Sequence, residues 1–153
     1  MTAIIFPGQG SQYLNMSMDF NENFDVAKKV FQEIEDITQI DIRKIIVENP
    51  SDNLNQTNYT QISIFSASMA IYKSLLSEFG NTIIEPKIFL GHSLGEYSAL
   101  VAGNFINITD ASKLIKKRGE LMHSAIEPNV SGMAAIIGKN ANFIDDVIKK
   151  NNL

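Results

Sequence analysis

The chain has 153 residues, 44% of them hydrophobic and 20% charged, with a formal net charge of −4, the composition of a globular domain large enough to bury a core. It has no cysteine, two histidines (His92 and His123) and no lysine- or arginine-rich block; this excludes a disulfide framework and a thiolate metal site, and argues against a zinc centre or a nucleic-acid partner. No stretch approaches the roughly 18 apolar residues of a membrane span, and the N-terminus lacks a secretory signal's basic flank and apolar run, so a cytoplasmic protein with no membrane partner is expected.

Residues 3–6 form a short apolar run closed by Pro7-Gly8, the pattern of a buried strand. A glycine-punctuated loop follows through Gln9, Gly10, Ser11 and Gln12. Over 23–38, Phe24, Ala27, Phe31 and Ile34 recur at helical spacing. The stretch 50–58 is polar and turn-rich. Residues 60–79 are nearly uncharged and rich in small side chains, with Ile64, Ala67, Ile71 and Leu75 in register; this predicts a helix buried on most sides, with Gly80 as its stop.

A second buried strand is expected over 86–90, running straight into Gly91-His92-Ser93-Leu94-Gly95. An apolar helix over 96–102 ends at Gly103. Thr109 reads as the cap of a helix reaching about residue 126, with Asp110 well placed for its dipole. A third strand is expected over 131–138 and a last helix over 142–150. Strands alternating with helices indicate an α/β fold with a mainly parallel sheet.

Gly91-His92-Ser93-Leu94-Gly95 fits the G-x-S-x-G nucleophile elbow, with a strand entering and an apolar helix leaving. The turn is tight enough that neighbouring side chains would clash, and the two glycines remove that clash. The Ser93 hydroxyl would stand at the carboxyl edge of the sheet, near a helix N-terminus that favours developing negative charge. Acyl chemistry also needs oxyanion donors. In elbow enzymes one is the backbone N–H after the nucleophile, here Leu94, and the other comes from a loop after an earlier strand. Gln9, between two glycines, is the candidate for the second; a plain strand-to-helix turn fits the spacing equally well.

On the helix that begins near Thr109, Ala111, Leu114, Ile115, Leu121, Met122 and Ala125 share one face at about 100° per residue, and Lys113, Lys116, Lys117, Glu120 and His123 share the other. Arg118 falls at the centre of the apolar face. A guanidinium keeps its proton and is costly to bury unpaired, so it needs an anionic or carbonyl partner. A structural ion pair with a core acid, snorkelling to solvent, and a substrate carboxylate gripped by the planar fork all satisfy that need.

Taken together, F-P-G-Q-G-S-Q (6–12), T-Q-I-S-I-F-S-A-S-M-A-I-Y (60–72), G-H-S-L-G-E-Y-S-A-L (91–100), R-G-E-L-M (118–122) and G-M-A-A-I-I-G (132–138) resemble, in order and interval, the motifs of malonyl-CoA:acyl carrier protein transacylases. The resemblance implies that Ser93 is the acylated nucleophile and that the N–H groups of Gln9 and Leu94 form the oxyanion hole. Arg118 would bind the malonyl carboxylate, and Met122, one turn along, would line the acyl pocket. Malonyl would pass from coenzyme A to the serine, then to the phosphopantetheine thiol of acyl carrier protein, in fatty acid biosynthesis, with no cofactor or metal beyond the coenzyme A thioester. The implied fold is an α/β-hydrolase-like core over 1–130, with a ferredoxin-like subdomain beginning at 131–153. Glu96 reads as a first-turn acid favoured by the helix dipole, and Lys113, Lys116 and Lys117 as a solvated face or a carrier-protein contact.

Members of that family are about twice this long, and their general-base histidine comes from the second half. His92 adjoins Ser93 on a strand geometry that turns it aside, and His123 lies on a polar face, so the chain alone is expected to have little activity. Two other readings fit the elbow: a serine esterase or thioesterase, indifferent to Arg118, and a non-catalytic module that binds coenzyme A or carrier protein. Methylmalonyl-CoA remains open as the donor.

Overall fold

Two short strands, β1 (Thr2–Phe6) and β2 (Pro86–Gly91), pair in parallel, with Ile4 opposite Phe89, Ile5 opposite Leu90 and Phe6 opposite Gly91. The computed structural model describes residues 2–83, 86–125 and 136–151. A parallel pair needs a long crossover, and here the crossover is helical. It runs through α1 (Met18–Asn23), α2 (Asp25–Thr38), α3 (Ile42–Glu48), a 3₁₀ segment (Pro50–Asn55) and α4 (Thr57–Ile83). After β2 come α5 (Gly95–Ala102), α6 (Ile108–Ser124) and α7 (Ala141–Asn151). The described chain is mostly helical around a small parallel sheet, an α/β arrangement.

Helix α4 is the axle of the core. Ile62, Phe65, Met69 and Ala70 are fully buried on it, and α2 contributes Phe31 and Ile34. Two of its buried serines are satisfied within the helix, Ser66 and Ser74 donating back to the carbonyls of Ile62 and Ala70, each at 2.8 Å. At Gly80 the backbone leaves helical geometry (φ 64°, ψ 176°) before the element closes at Ile83, so the expected stop is a break within the helix.

The first two expected strands form, yet they are not buried on both sides. Alternation turns Phe6 and Phe89 toward Tyr72, whose ring meets theirs edge-on at 5.9 and 6.1 Å. Ile5 and Leu90 face the opposite way and are exposed, as is Ile88.

Helices α1 and α3 were not among the expected elements. Each is shorter than two full turns of periodic pattern. Helix α3 nevertheless carries a local signal: the Asp41 carboxylate accepts from the Lys44 N–H at 3.1 Å, and Ile42, Ile45 and Ile46 are buried.

The cap of α6 is Asn107 rather than Thr109. Its Oδ1 accepts from the Asp110 N–H at 2.7 Å, and asparagine competes well for that role. Thr109, now inside the helix, donates to Glu33 Oε1 at 3.4 Å. Residues 126–135 lie outside the described residues, and with them the boundary expected at 130/131 and most of the third strand. The remainder of that stretch, 136–138, is irregular, with Gly138 at φ 77°.

Candidate active site

The parallel register brings the ends of β1 and β2 side by side, and the His92 N–H continues the ladder by donating to Phe6 O at 3.1 Å. The chain then reverses at once. Gly95 N–H donates to His92 O at 2.9 Å and Tyr97 N–H to Leu94 O at 3.1 Å, which starts α5. Ser93 sits at the apex with φ 55°, in the left-handed region that non-glycine residues enter at a cost of about 1–3 kcal/mol. The flanking glycines are required by space. A Cβ at Gly91 would fall 2.0 Å from the Gly95 carbonyl carbon, and one at Gly95 would fall 2.4 Å from Phe6 O. The expected elbow therefore has the backbone conformation that its motif demands.

The loop after β1 is held by bonds within itself and to α4. Ser11 Oγ donates to Gly8 O at 2.8 Å, Gln12 Oε1 accepts from the Gly10 N–H at 2.8 Å, and Gln9 Nε2 donates to Thr57 Oγ1 at 3.2 Å. Among the described residues, the backbone N–H groups of Gln9 and Leu94 donate to no protein acceptor. Leu94 itself is fully buried and anchors the start of α5.

Arg118 reaches the elbow from α6. Its Nη2 donates to Ser93 Oγ at 2.9 Å, and its Nη1 donates to Gln61 Oε1. Gln61 Nε2 in turn donates to Met122 Sδ at 3.3 Å. Ser93, Arg118, Gln61 and Met122 thus form one connected chain of polar contacts drawn from the elbow, α4 and α6. Among the described residues Arg118 has no acid partner; its carbonyl partner is the side-chain amide of Gln61, fully buried on α4. Sequence periodicity passed over Gln61. The available signal was an amide on a helix read as buried on most sides, since buried amides demand partners.

The setting of Arg118 also needs correction. The buried stripe of α6 is Ala111, Ser112, Ile115 and Gly119, and Arg118 lies at its flank instead of its centre. Leu114, Leu121 and Met122 are 51%, 57% and 47% exposed, because α4 and α2 cover only the Ile115 side. Gly119 decides this: its backbone lies against Asn58, where a Cβ would fall 3.0 Å from the Asn58 Cα.

Neither histidine hydrogen-bonds Ser93; both side chains are exposed. Of the lysines, Lys116 Nζ donates to Thr38 O at 2.8 Å, closing the last turn of α2, and Lys117 faces Glu120 at 3.7 Å. The groove of ≈ 390 Å³ between β1 and α4, lined by Ile4, Phe6, Ile64 and Tyr72, is not lined by Ser93 or Arg118. Among the described residues no group of three His, Asp or Glu side chains is arranged to hold a metal ion, and no helix is long and apolar enough to cross a membrane.

Residues 3–149 match a family described as acyl transferase domain. The chain is 36% identical over 148 residues to a malonyl CoA-acyl carrier protein transacylase of Haemophilus influenzae, covering 97% of this chain and 47% of that protein. It superposes with TM-score 0.87 and 33% identity on the malonyl CoA-acyl carrier protein transacylase of Coxiella burnetii, over 99% of this chain and 47% of that one. It superposes with TM-score 0.85 and 37% identity, over 97% and 47%, on a malonyl-transacylase solved in complex with its type II PKS acyl-carrier protein. The chain spans about half the length of the relatives it matches.

Proposed function

The chain belongs to the acyl transferase domain family, and we propose that it carries the nucleophile and carboxylate-binding half of a transfer of malonyl from coenzyme A to acyl carrier protein. Ser93 Oγ attacks the thioester carbonyl, and its proton leaves to a base supplied from outside the described residues. The N–H groups of Gln9 and Leu94 stabilise the oxyanion. Collapse of that intermediate expels the coenzyme A thiolate and leaves malonyl esterified to Ser93. The phosphopantetheine thiol of the carrier protein then attacks the ester, and the serine regains its proton. Arg118 turns its fork to the free carboxylate of the malonyl group, and Met122 lines the acyl pocket beside it.

The contact between Arg118 Nη2 and Ser93 Oγ, at 2.9 Å, carries this reading. A fixed positive charge one hydrogen bond from the nucleophile suits an acyl group with a carboxylate next to its reacting carbonyl. The names of the relatives support malonyl-CoA and acyl carrier protein as the partners. An esterase would have no use for that charge. In fold terms the reading implies an α/β-hydrolase-like core over 1–130 and the start of a ferredoxin-like subdomain over 131–153, in a cytoplasmic protein that uses neither cofactor nor metal.

The test is mass spectrometry of the chain after incubation with malonyl-CoA. With no base among the described residues, the expected product is an ester that forms slowly on Ser93 and is absent from Ser93→Ala. Labelling at another residue, or none while malonyl-CoA still binds, would replace the enzyme reading by a binding module.

A further inference from the structure

We infer that Gln61 is a positioning residue that aims Arg118 and preserves its charge, and thereby sets the choice between a carboxylated and an uncharged acyl thioester; this rests on the role proposed for Arg118 above. Gln61 is fully buried on α4, and both ends of its amide are in use. A guanidinium accepts no hydrogen bond and a thioether donates none. The carbonyl end must therefore face Arg118 and the NH₂ end must face Met122 Sδ, so the two partners fix the amide in one orientation. With Nη1 held by Gln61, the other edge of the fork is delivered to Ser93 Oγ.

The chemistry of the holder matters as much as its position. A neutral carbonyl accepts from the guanidinium without cancelling its charge. A carboxylate in the same place would form an internal ion pair, and a substrate carboxylate would then have to compete with a neighbour already seated. Elsewhere in the chain the opposite arrangement occurs: Arg43 is paired with the Glu35 carboxylate through Nε and Nη2. Among the described residues no acid reaches Arg118, and the one acid on its own helical turn, Glu120, faces Lys117. The charge of Arg118 is left for a ligand. Met122, tied to the same amide, links the wall of the acyl pocket to the charge clamp.

The experiment compares binding of malonyl-CoA and acetyl-CoA by the full chain in the wild type, Gln61→Glu, Gln61→Met and Arg118→Ala, with folding checked by circular dichroism and thermal melting. Gln61→Glu keeps the shape and the acceptor, yet should lower the malonyl-to-acetyl affinity ratio by about tenfold or more. Gln61→Met, neutral but unable to hold Nη1, should lower it by roughly threefold. A purely structural role predicts the reverse order, with the near-isosteric Gln61→Glu the milder change. A wild-type ratio in either folded variant overturns the role of Gln61. If the wild type shows no malonyl preference, or Arg118→Ala retains it, the reading of Arg118 fails and takes this inference with it. If those two behave as proposed and only the Gln61 variants do not respond, Gln61 alone is misassigned.

Discussion

Gly8 lies so close to His92 that a Cβ placed on it would fall 2.5 Å from the imidazole Nδ1 and 2.6 Å from the His92 carbonyl oxygen. The second of these is backbone, which cannot swing aside as a side chain can. The loop that carries Gln9 is therefore seated on the elbow that carries Ser93, by a contact only glycine permits. Gly8→Ala should push the two apart. A loss of about 1–3 kcal/mol in urea unfolding is expected, together with slower esterification of Ser93 by malonyl-CoA. An unchanged rate of Ser93 labelling would show that the loop does not serve the nucleophile.

Arg118→Ala should abolish discrimination without abolishing the nucleophile. Losing a charge-assisted hydrogen bond of about 1.5–3 kcal/mol corresponds to roughly a tenfold to hundredfold fall in the preference for malonyl over acetyl groups. Competitive labelling of Ser93 by the two thioesters measures this directly. Arg118→Lys should recover only part of the preference, because an ammonium cannot bond Gln61 and a carboxylate with one planar fork.

Arg43 and Glu35 offer a prediction about stability, remote from the site. The Glu35 carboxylate accepts from the Arg43 backbone N–H at 2.9 Å and from Nε at 3.0 and 3.2 Å. That bonding raises the Arg43 pKa above its usual value. The Glu35 side chain is 11% exposed, so removing its partner strands a largely buried carboxylate. Arg43→Ala should cost about 2 kcal/mol and lower the melting temperature by about 5 °C, while leaving Ser93 labelling unchanged.

Tyr72 gives the pH dependence. Burial raises its phenol above the ordinary 10.0, so the folded chain favours the neutral form more than the unfolded chain does. That advantage is complete below the unfolded value and is lost as the pH rises through the folded one. Stability to urea should therefore fall as the pH rises past about 10, and Tyr72→Phe should flatten the decline. Parallel curves for the two proteins would assign the alkaline loss to other groups.

The elbow was legible because its chemistry is local: a strand, two glycines a side chain cannot replace, and an apolar helix. The long helix α4 was legible for the same reason, since its pattern runs for many turns. Arg118 was singled out for a setting on its helix that does not hold. Helical periodicity placed it at the centre of an apolar face, whereas Gly119 draws α6 against α4 on a stripe to one side. Which residues of an amphipathic helix are covered depends on its neighbours, and a single helix cannot announce them. Gln61 was missed on similar grounds, because its significance comes from Arg118 and Met122, each some sixty positions away in the chain. The Asn107 cap was within reach of sequence reasoning, since asparagine is at least as favoured as threonine at that position.

The parallel pairing of β1 with β2 has one more implication. Its only irregularity falls between Thr2 and Ala3, at the far end, while Ile4, Ile5 and Phe6 stay in step with Phe89, Leu90 and Gly91. Strand pairing moves in increments of about 3.3 Å, whereas acyl-transfer geometry tolerates displacements of only about 0.5 Å. The separation between Ser93 and the loop that carries Gln9 is thus quantised by the sheet: slack at the distal end can be absorbed, but a slip at the proximal end has no small version.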